Sequence, residues 1–268
     1  MINNFKFIIR LFLFRFYKRD IPLTIIFNVT TRCNSRCSYC YAEYYNRKIE
    51  DLTTDEVFKI VDILKRNGTL RISLSGGEPL LRKDIGEIIK YIKKRGIICT
   101  LNSNGYLVPE KINEIKELDT LILSIDGDQD AHNKNREEGS FEKVMKAYYC
   151  ALENRIPVHT ATILTKNNLH SIDLILELAK RNSTWAQFNI VIDKFFLDSP
   201  ANFKAEMDAY REALKKILEF KNKGYPIYFS SKAFEYVMKW EDYTRENFIG
   251  MEPSWPYVKC SAGKYRCI

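Results

Sequence analysis

Cys33, Cys37 and Cys40 stand in the run NVTTRCNSRCSYCY at residues 28–41, a CxxxCxxC spacing. Thiolates this close on one short loop reach three irons of a [4Fe–4S] cluster and leave the fourth iron open to an exogenous ligand. An open iron can do chemistry. Two simpler sites compete for the same residues, because Cys37 and Cys40 also form a CxxC pair of the kind used by tetrahedral zinc and by redox dithiols. Zinc needs a further nitrogen or sulfur donor, and none of the three histidines in the chain is nearby. A dithiol has no use for Cys33.

A second motif, SLSGGEPLLR at residues 73–82, places a glycine pair and a carboxylate at the end of an apolar run. Glycines let the backbone approach a ligand closely, and Glu78 offers an acceptor for a cationic amine. With the three cysteines and the aromatic Tyr39, Gly76, Gly77 and Glu78 resemble the radical S-adenosylmethionine (radical SAM) superfamily, over approximately residues 22–195. Near the carboxyl end, Cys260 in KCSAGKYRC is similar to the Cys-x-Ala-Gly segment that begins an auxiliary-cluster extension in the SPASM or twitch branch. The chain stops at Ile268, so the resemblance implies either a truncated extension or another use for Cys260 and Cys267.

By that resemblance, Cys33, Cys37 and Cys40 bind the cluster, and S-adenosylmethionine chelates the unique iron through its amino and carboxylate groups. The adenine lies by Tyr39. Gly76, Gly77, Glu78 and Pro79 shape the site for the methionine amine, and Ser124 and Asp126 match positions that hold the ribose. A strand end passing into a turn explains Ser124 and Asp126 without a ligand. Ser103, Asn104 and Lys166 match strand-end positions that touch substrate in related enzymes, although Lys166 reads equally as a loop lysine. Arg82 contacts a carboxylate, or pairs with Asp84 or solvent. Cys260 and Cys267 are candidates for a second iron–sulfur cluster.

The resemblance implies a radical SAM oxidoreductase or maturase. Such an enzyme reductively cleaves S-adenosylmethionine, and the 5′-deoxyadenosyl radical abstracts hydrogen from a peptide, a protein side chain or a comparable small molecule. A flavodoxin or ferredoxin would supply the electron. One alternative is the same chemistry on lipid or polyprenoid at a membrane surface. The other is an iron–sulfur electron-transfer module without catalysis, which leaves Gly76, Gly77 and Glu78 without a purpose.

Elements that position these residues follow from periodicity. Apolar strands are expected at 23–29, 70–74, 97–101, 120–125, 158–164 and 186–192, with amphipathic helices at 55–66, 84–95, 110–117, 141–154 and 169–181. The pattern Thr53, Thr54, Asp55, Glu56 reads as a capping box, and Gly68 and Gly96 as helix stops. Strand then helix, repeated, demands parallel strands with right-handed crossovers. Six units fall short of a closed barrel of about eight. The expected fold is therefore α/β, a partial (β/α)6 TIM-type barrel over residues 21–200. In such sheets chemistry collects at the carboxyl ends of the strands, where these motifs fall.

The 268 residues suit one barrel-sized domain with a short extension, here residues 201–268, which open with a long charged helix expected at 201–223. A 46% hydrophobic fraction excludes a disordered chain. Seven cysteines without a signal peptide point to a reducing cytoplasm, with Cys99 and Cys150 as core thiols. The net charge of +8 is spread along the helices, so no nucleic-acid partner is expected. Residues 1–19 are apolar, but Lys6, Arg10 and Arg15 interrupt the run too often for a spanning helix. An N-terminal helix over 1–20 that covers the barrel, or lies on an acidic membrane surface, is expected.

Overall fold

The computed structural model describes residues 22–40, 42–46, 49–190, 205–239 and 266–267. The expected N-terminal helix and Cys260 lie outside them. Six strands alternate with helices: β1 (Thr24–Thr30), β2 (Arg71–Gly76), β3 (Ile98–Ser103), β4 (Thr120–Ser124), β5 (Val158–Leu164) and β6 (Trp185–Ile190). A short β7 (Arg266–Cys267) joins the far side of β1. The sheet order is β6-β5-β4-β3-β2-β1-β7, and neighbouring strands run parallel. The α/β partial (β/α)6 architecture expected from the sequence is the one observed.

Helices α1 (Thr54–Arg66) and α2 (Ile85–Lys94) pack on the outer face. Thr53 caps α1 by accepting the Glu56 N–H, and the Glu56 carboxylate accepts the Thr53 N–H at 2.8 Å, completing the capping box. In α2, Ile85, Ile88, Ile89 and Ile92 are fully buried, each stabilising the fold by about 1.5–3 kcal/mol relative to an exposed position. In β2 burial alternates: Ile72 and Leu74 face the helices and are buried, whereas Arg71, Ser73 and Ser75 face inward and keep partial exposure. The inner face of this sheet is a concave wall.

Three helices depart from expectation, one of them α8 (Ser231–Val237), where no helix was expected. The helix expected at 110–117 shrinks to α3 (Val108–Lys111), because Ile115 and Leu118 are both drawn into the core and the chain continues in tight turns. Conversely, α4 (Gln129–Asn135) is absent from the expected set, since its sequence QDAHNKN has no apolar period. It forms because Asp128 accepts the Ala131 N–H at 2.9 Å. Helices α5 (Ser140–Glu153), α6 (Ile172–Arg181), α7 (Met207–Asn222) and the unexpected α8 follow, the last capped by Ser230, which accepts the Ala233 N–H at 3.2 Å. Of the helix expected at 201–223, α7 is the part that falls within the described residues; residues 201–204 lie outside them. Among the described residues, no helix is long and apolar enough to cross a membrane.

Candidate functional site

The cysteine loop leaves the carboxyl end of β1 and is held by the end of β2. The Gly77 N–H donates to the Thr30 carbonyl at 2.9 Å, and the Glu78 N–H to the Arg32 carbonyl at 2.8 Å. No other residue fits there: a Cβ on Gly76 would lie 2.2 Å from the Thr30 carbonyl oxygen, and one on Gly77 2.0 Å from that of Arg32. Gly76 also has φ 125°, outside the range of ordinary side chains. Asp51 braces the same stretch, accepting from Thr30 Oγ1 at 2.9 Å and from Arg32 Nη2 at 2.7 Å. Within the loop, the Cys40 N–H donates to the Cys37 carbonyl at 3.0 Å, and Ser35 Oγ lies 3.4 Å from Cys37 Sγ.

Glu78 lies behind this loop. Its carboxylate accepts from the Leu80 N–H at 3.0 Å, Ser103 Oγ at 3.0 Å and the Asn104 N–H at 2.8 Å. Burial pushes its carboxyl up to about 7 despite those three donors. Rather than presenting itself to a ligand, Glu78 ties β2 to β3. Asn104, so held, donates through Nδ2 to Asn34 Oδ1 at 2.8 Å and reaches the cysteine loop from the other side. Pro79 is buried at the start of a single 3-10 turn. Arg82 pairs with Asp84 at 2.6 Å and donates to the Val29 and Leu52 carbonyls, so of its expected partners it takes Asp84.

A third unit joins Tyr39, Asp126 and Arg136. The fully buried Asp126 accepts from Tyr39 Oη at 2.6 Å and Arg136 Nε at 2.8 Å on one oxygen, and from the Ile163 N–H at 3.2 Å on the other. Arg136 Nη2 donates to Tyr39 Oη at 2.6 Å, and Nη1 lies 3.5 Å from Cys37 Sγ. Burial opposes the charge on Arg136, but the adjacent carboxylate outweighs it and raises the guanidinium further above its ordinary range. Burial raises the Tyr39 phenol well above its usual value, so it remains a neutral donor. His132 accepts the Asp126 N–H through Nδ1 at 3.1 Å and is pushed down to about 4 by burial, which keeps it neutral.

These units converge on one cavity of about 450 Å³ at the carboxyl ends of the strands. Cys33, Cys37 and Cys40 line it, together with Tyr39, Gly76 and Gly77. Ser103, Asn104, Ser124 and Arg136 complete that side of the wall. Glu78, Pro79 and Asp126 stand behind the wall rather than on it. Lys166 is exposed outside the cavity, because the loop after β5 turns inward through Thr165 and Asn168 instead. Cys267 has its backbone paired with Ile25 through β7. Arg136 carries no signal in the sequence because it is one of 42 Lys and Arg and sits in a polar run; only packing distinguishes it.

The donor set fits an iron–sulfur cluster. Cys33, Cys37 and Cys40 come from one short loop and line a single cavity, and a cluster spreads its thiolates over separate irons. Burial raises the Cys33 thiol to about 11, so ligation must displace its proton.

A parallel half-barrel with a three-cysteine loop at its carboxyl end defines a class, and direct comparison agrees. The Radical SAM superfamily model matches residues 27–179, more than half of the chain, and the chain belongs to that superfamily. Its members use a [4Fe–4S] cluster and S-adenosylmethionine. The chain is similar to the Fe-coproporphyrin III synthase of Methanosarcina barkeri, 32% identical over 167 residues, covering 60% of this chain and 42% of that protein. It is also similar to the GTP 3',8-cyclase of Clostridium perfringens, 31% identical over 175 residues, 62% of this chain and 54% of that one. The chain thus spans about half the length of the curated relatives it matches. In fold it is similar to Streptococcus suis SuiB bound to S-adenosylmethionine, with a TM-score of 0.70 at 16% identity, covering 81% of this chain and 52% of SuiB.

Proposed function

We propose that Cys33, Cys37 and Cys40 hold a [4Fe–4S] cluster, that the adjoining cavity binds S-adenosylmethionine, and that the chain is a radical SAM enzyme acting on a peptide or protein. When bound, the two groups supply one-electron cleavage of the sulfonium and hydrogen abstraction from a substrate carbon. The observation that carries the reading is the convergence of three thiols and one buried cation on a single cavity. Arg136, fixed by Asp126, offers a charge beside Cys37 that suits a carboxylate. Ser124 offers a hydroxyl, and the backbone at Gly76 and Gly77 offers close approach. The Tyr39 hydroxyl is committed to Asp126 and Arg136, which holds its ring still beside the loop. Asp126, Glu78 and Asn104 act as positioning residues.

The peptide reading is supported by fold likeness to SuiB, which has also been solved bound to its precursor peptide SuiA. A flavodoxin or ferredoxin is the proposed electron donor. The test is anaerobic reconstitution followed by iron and sulfide counts and electron paramagnetic resonance of the reduced protein. A signal that changes on adding S-adenosylmethionine, with formation of 5′-deoxyadenosine, is expected. An unchanged signal with no nucleoside product would refute the proposal.

A further inference from the structure

Because β1 to β6 run parallel, the turns that lead into their amino ends all lie on one face of the molecule, opposite the cavity. The ends of α1, α2, α3, α5, α6 and α7, with the turns that follow them, each carry an exposed basic residue: Arg66, Lys94, Lys116, Arg155, Arg181 and Lys223 in turn. The turn after α7 reaches this face because the Tyr228 N–H donates to the Ala186 carbonyl at 2.9 Å, beside the start of β6. Acidic neighbours do not balance the charge. Asp62 and Asp119 pair with Arg95 and Lys93, and Glu177 accepts from Tyr225 Oη. Glu117, Glu153 and Glu219 are the exposed acids that remain.

Helix macrodipoles favour Lys and Arg at helix carboxyl ends, but they give no reason for apolar side chains among them. On this face Trp185 is 46% exposed, Tyr228 42% and Ile63 48%. Tryptophan and tyrosine, each with an apolar body and a polar edge, are the side chains that suit a boundary between hydrocarbon and water. The chain also enters β1 from here, since the Pro22 carbonyl accepts from Thr69 Oγ1 at 2.8 Å in the turn between α1 and β2. Immediately before that point in the sequence stand residues 1–19, MINNFKFIIRLFLFRFYKR, rich in Phe, Ile and Leu and free of acidic residues.

Stable attachment to a bilayer takes two signals, an apolar one and a basic one. Here both meet at one face. We infer that this face, together with residues 1–19, docks the protein on the surface of an anionic phospholipid bilayer. Nucleic acid would use the positive charge but would leave the aliphatic side chains of residues 1–19 without a partner. β1 is seven residues long, so the cysteine loop at its other end stands about 20 Å from the lipid headgroups. Substrate then reaches the cavity from the aqueous side.

The test is flotation of the full chain with vesicles of phosphatidylcholine, alone or with about one third phosphatidylserine, at moderate and high salt. Binding to the anionic vesicles only, weakened by salt, is expected. In the Arg66→Glu, Lys94→Glu, Arg181→Glu triple variant, binding should weaken by roughly a hundred-fold. A second triple, Lys116→Glu, Arg155→Glu, Lys223→Glu, repeats the test with turn positions alone, and a urea midpoint near that of wild type verifies folding in each. The control is Lys83→Glu, Lys134→Glu, Lys166→Glu, the same change in net charge at the opposite end of the strands. It lies more than a screening length of about 10 Å from the lipid and should bind within about two-fold of wild type. Equal binding to neutral and anionic vesicles, no loss in either test triple, or the same loss in the control would overturn the inference. So would capture by polyuridylate with no binding to vesicles, which would assign the face to nucleic acid.

Discussion

Gly77→Ala isolates the contact between the two motifs. The added methyl would sit 2.0 Å from the Arg32 carbonyl oxygen and 3.2 Å from Cys33 Cβ. Relief requires a retreat of at least about 1 Å, since even tightly packed interiors do not tolerate carbon–oxygen contacts that short. That displacement breaks the Gly77 to Thr30 and Glu78 to Arg32 hydrogen bonds, now 2.9 and 2.8 Å. Two lost hydrogen bonds and local overpacking together cost about 2–6 kcal/mol, a loss that a domain stable by roughly 5–15 kcal/mol can survive. The damage therefore falls on the cysteine loop. The variant is expected to fold, to retain little iron after anaerobic reconstitution, and in its apo form to expose Cys33 to iodoacetamide faster than wild type. Gly224→Ala is the control: its φ of 85° makes the substitution strained, but nothing lies within 4 Å of the new methyl. It costs about 1 kcal/mol and leaves iron content intact. Wild-type iron loading and unchanged Cys33 alkylation in Gly77→Ala would refute the reasoning.

Further outcomes test the buried network. Glu78 titrates at about 7 in the fold against an ordinary 4.5, so its contribution is present below the ordinary value and lost as pH rises through 7. The loss amounts to about 3 kcal/mol. His132, lowered to about 4, slopes the other way, so the informative quantity is the difference in urea stability between apo wild type and Glu78→Gln across that range; a difference that does not vary with pH would exclude Glu78 as its source. Asp126→Asn removes the carboxylate paired with a buried guanidinium and is expected to cost about 3–5 kcal/mol, read as a urea midpoint shift; a change below about 1 kcal/mol would contradict the pairing. Thr53→Ala removes the α1 cap and should cost about 1 kcal/mol with iron binding unchanged. Cys99, raised by burial, should resist alkylation in the native protein, and rapid labelling would place it outside the core.

Local rules account for what is legible in the amino-acid sequence. Alternating apolar runs specify the strands, and the 3.6-residue period together with the Thr53 cap and Gly96 stop specifies α1 and α2. Strand and helix repeats then leave only a parallel sheet. The spacing of Cys33, Cys37 and Cys40 on one loop is also local, so the proposed iron chemistry is suggested by residue order alone. The orientation of side chains around that loop is not local. Tyr39 meets Asp126 and Arg136 from nearly a hundred positions away. Glu78 turns from the cavity to the end of β3 because Ser103 Oγ and the Asn104 N–H there, with the Leu80 N–H of its own turn, satisfy a carboxylate that burial would otherwise penalise. Lys166 points outward because neighbouring Thr165 and Asn168 take the interior position. Residue type and spacing determined which chemistry the chain can support, whereas desolvation and hydrogen-bond satisfaction among distant segments decided which side chains face the cavity and which hold its wall.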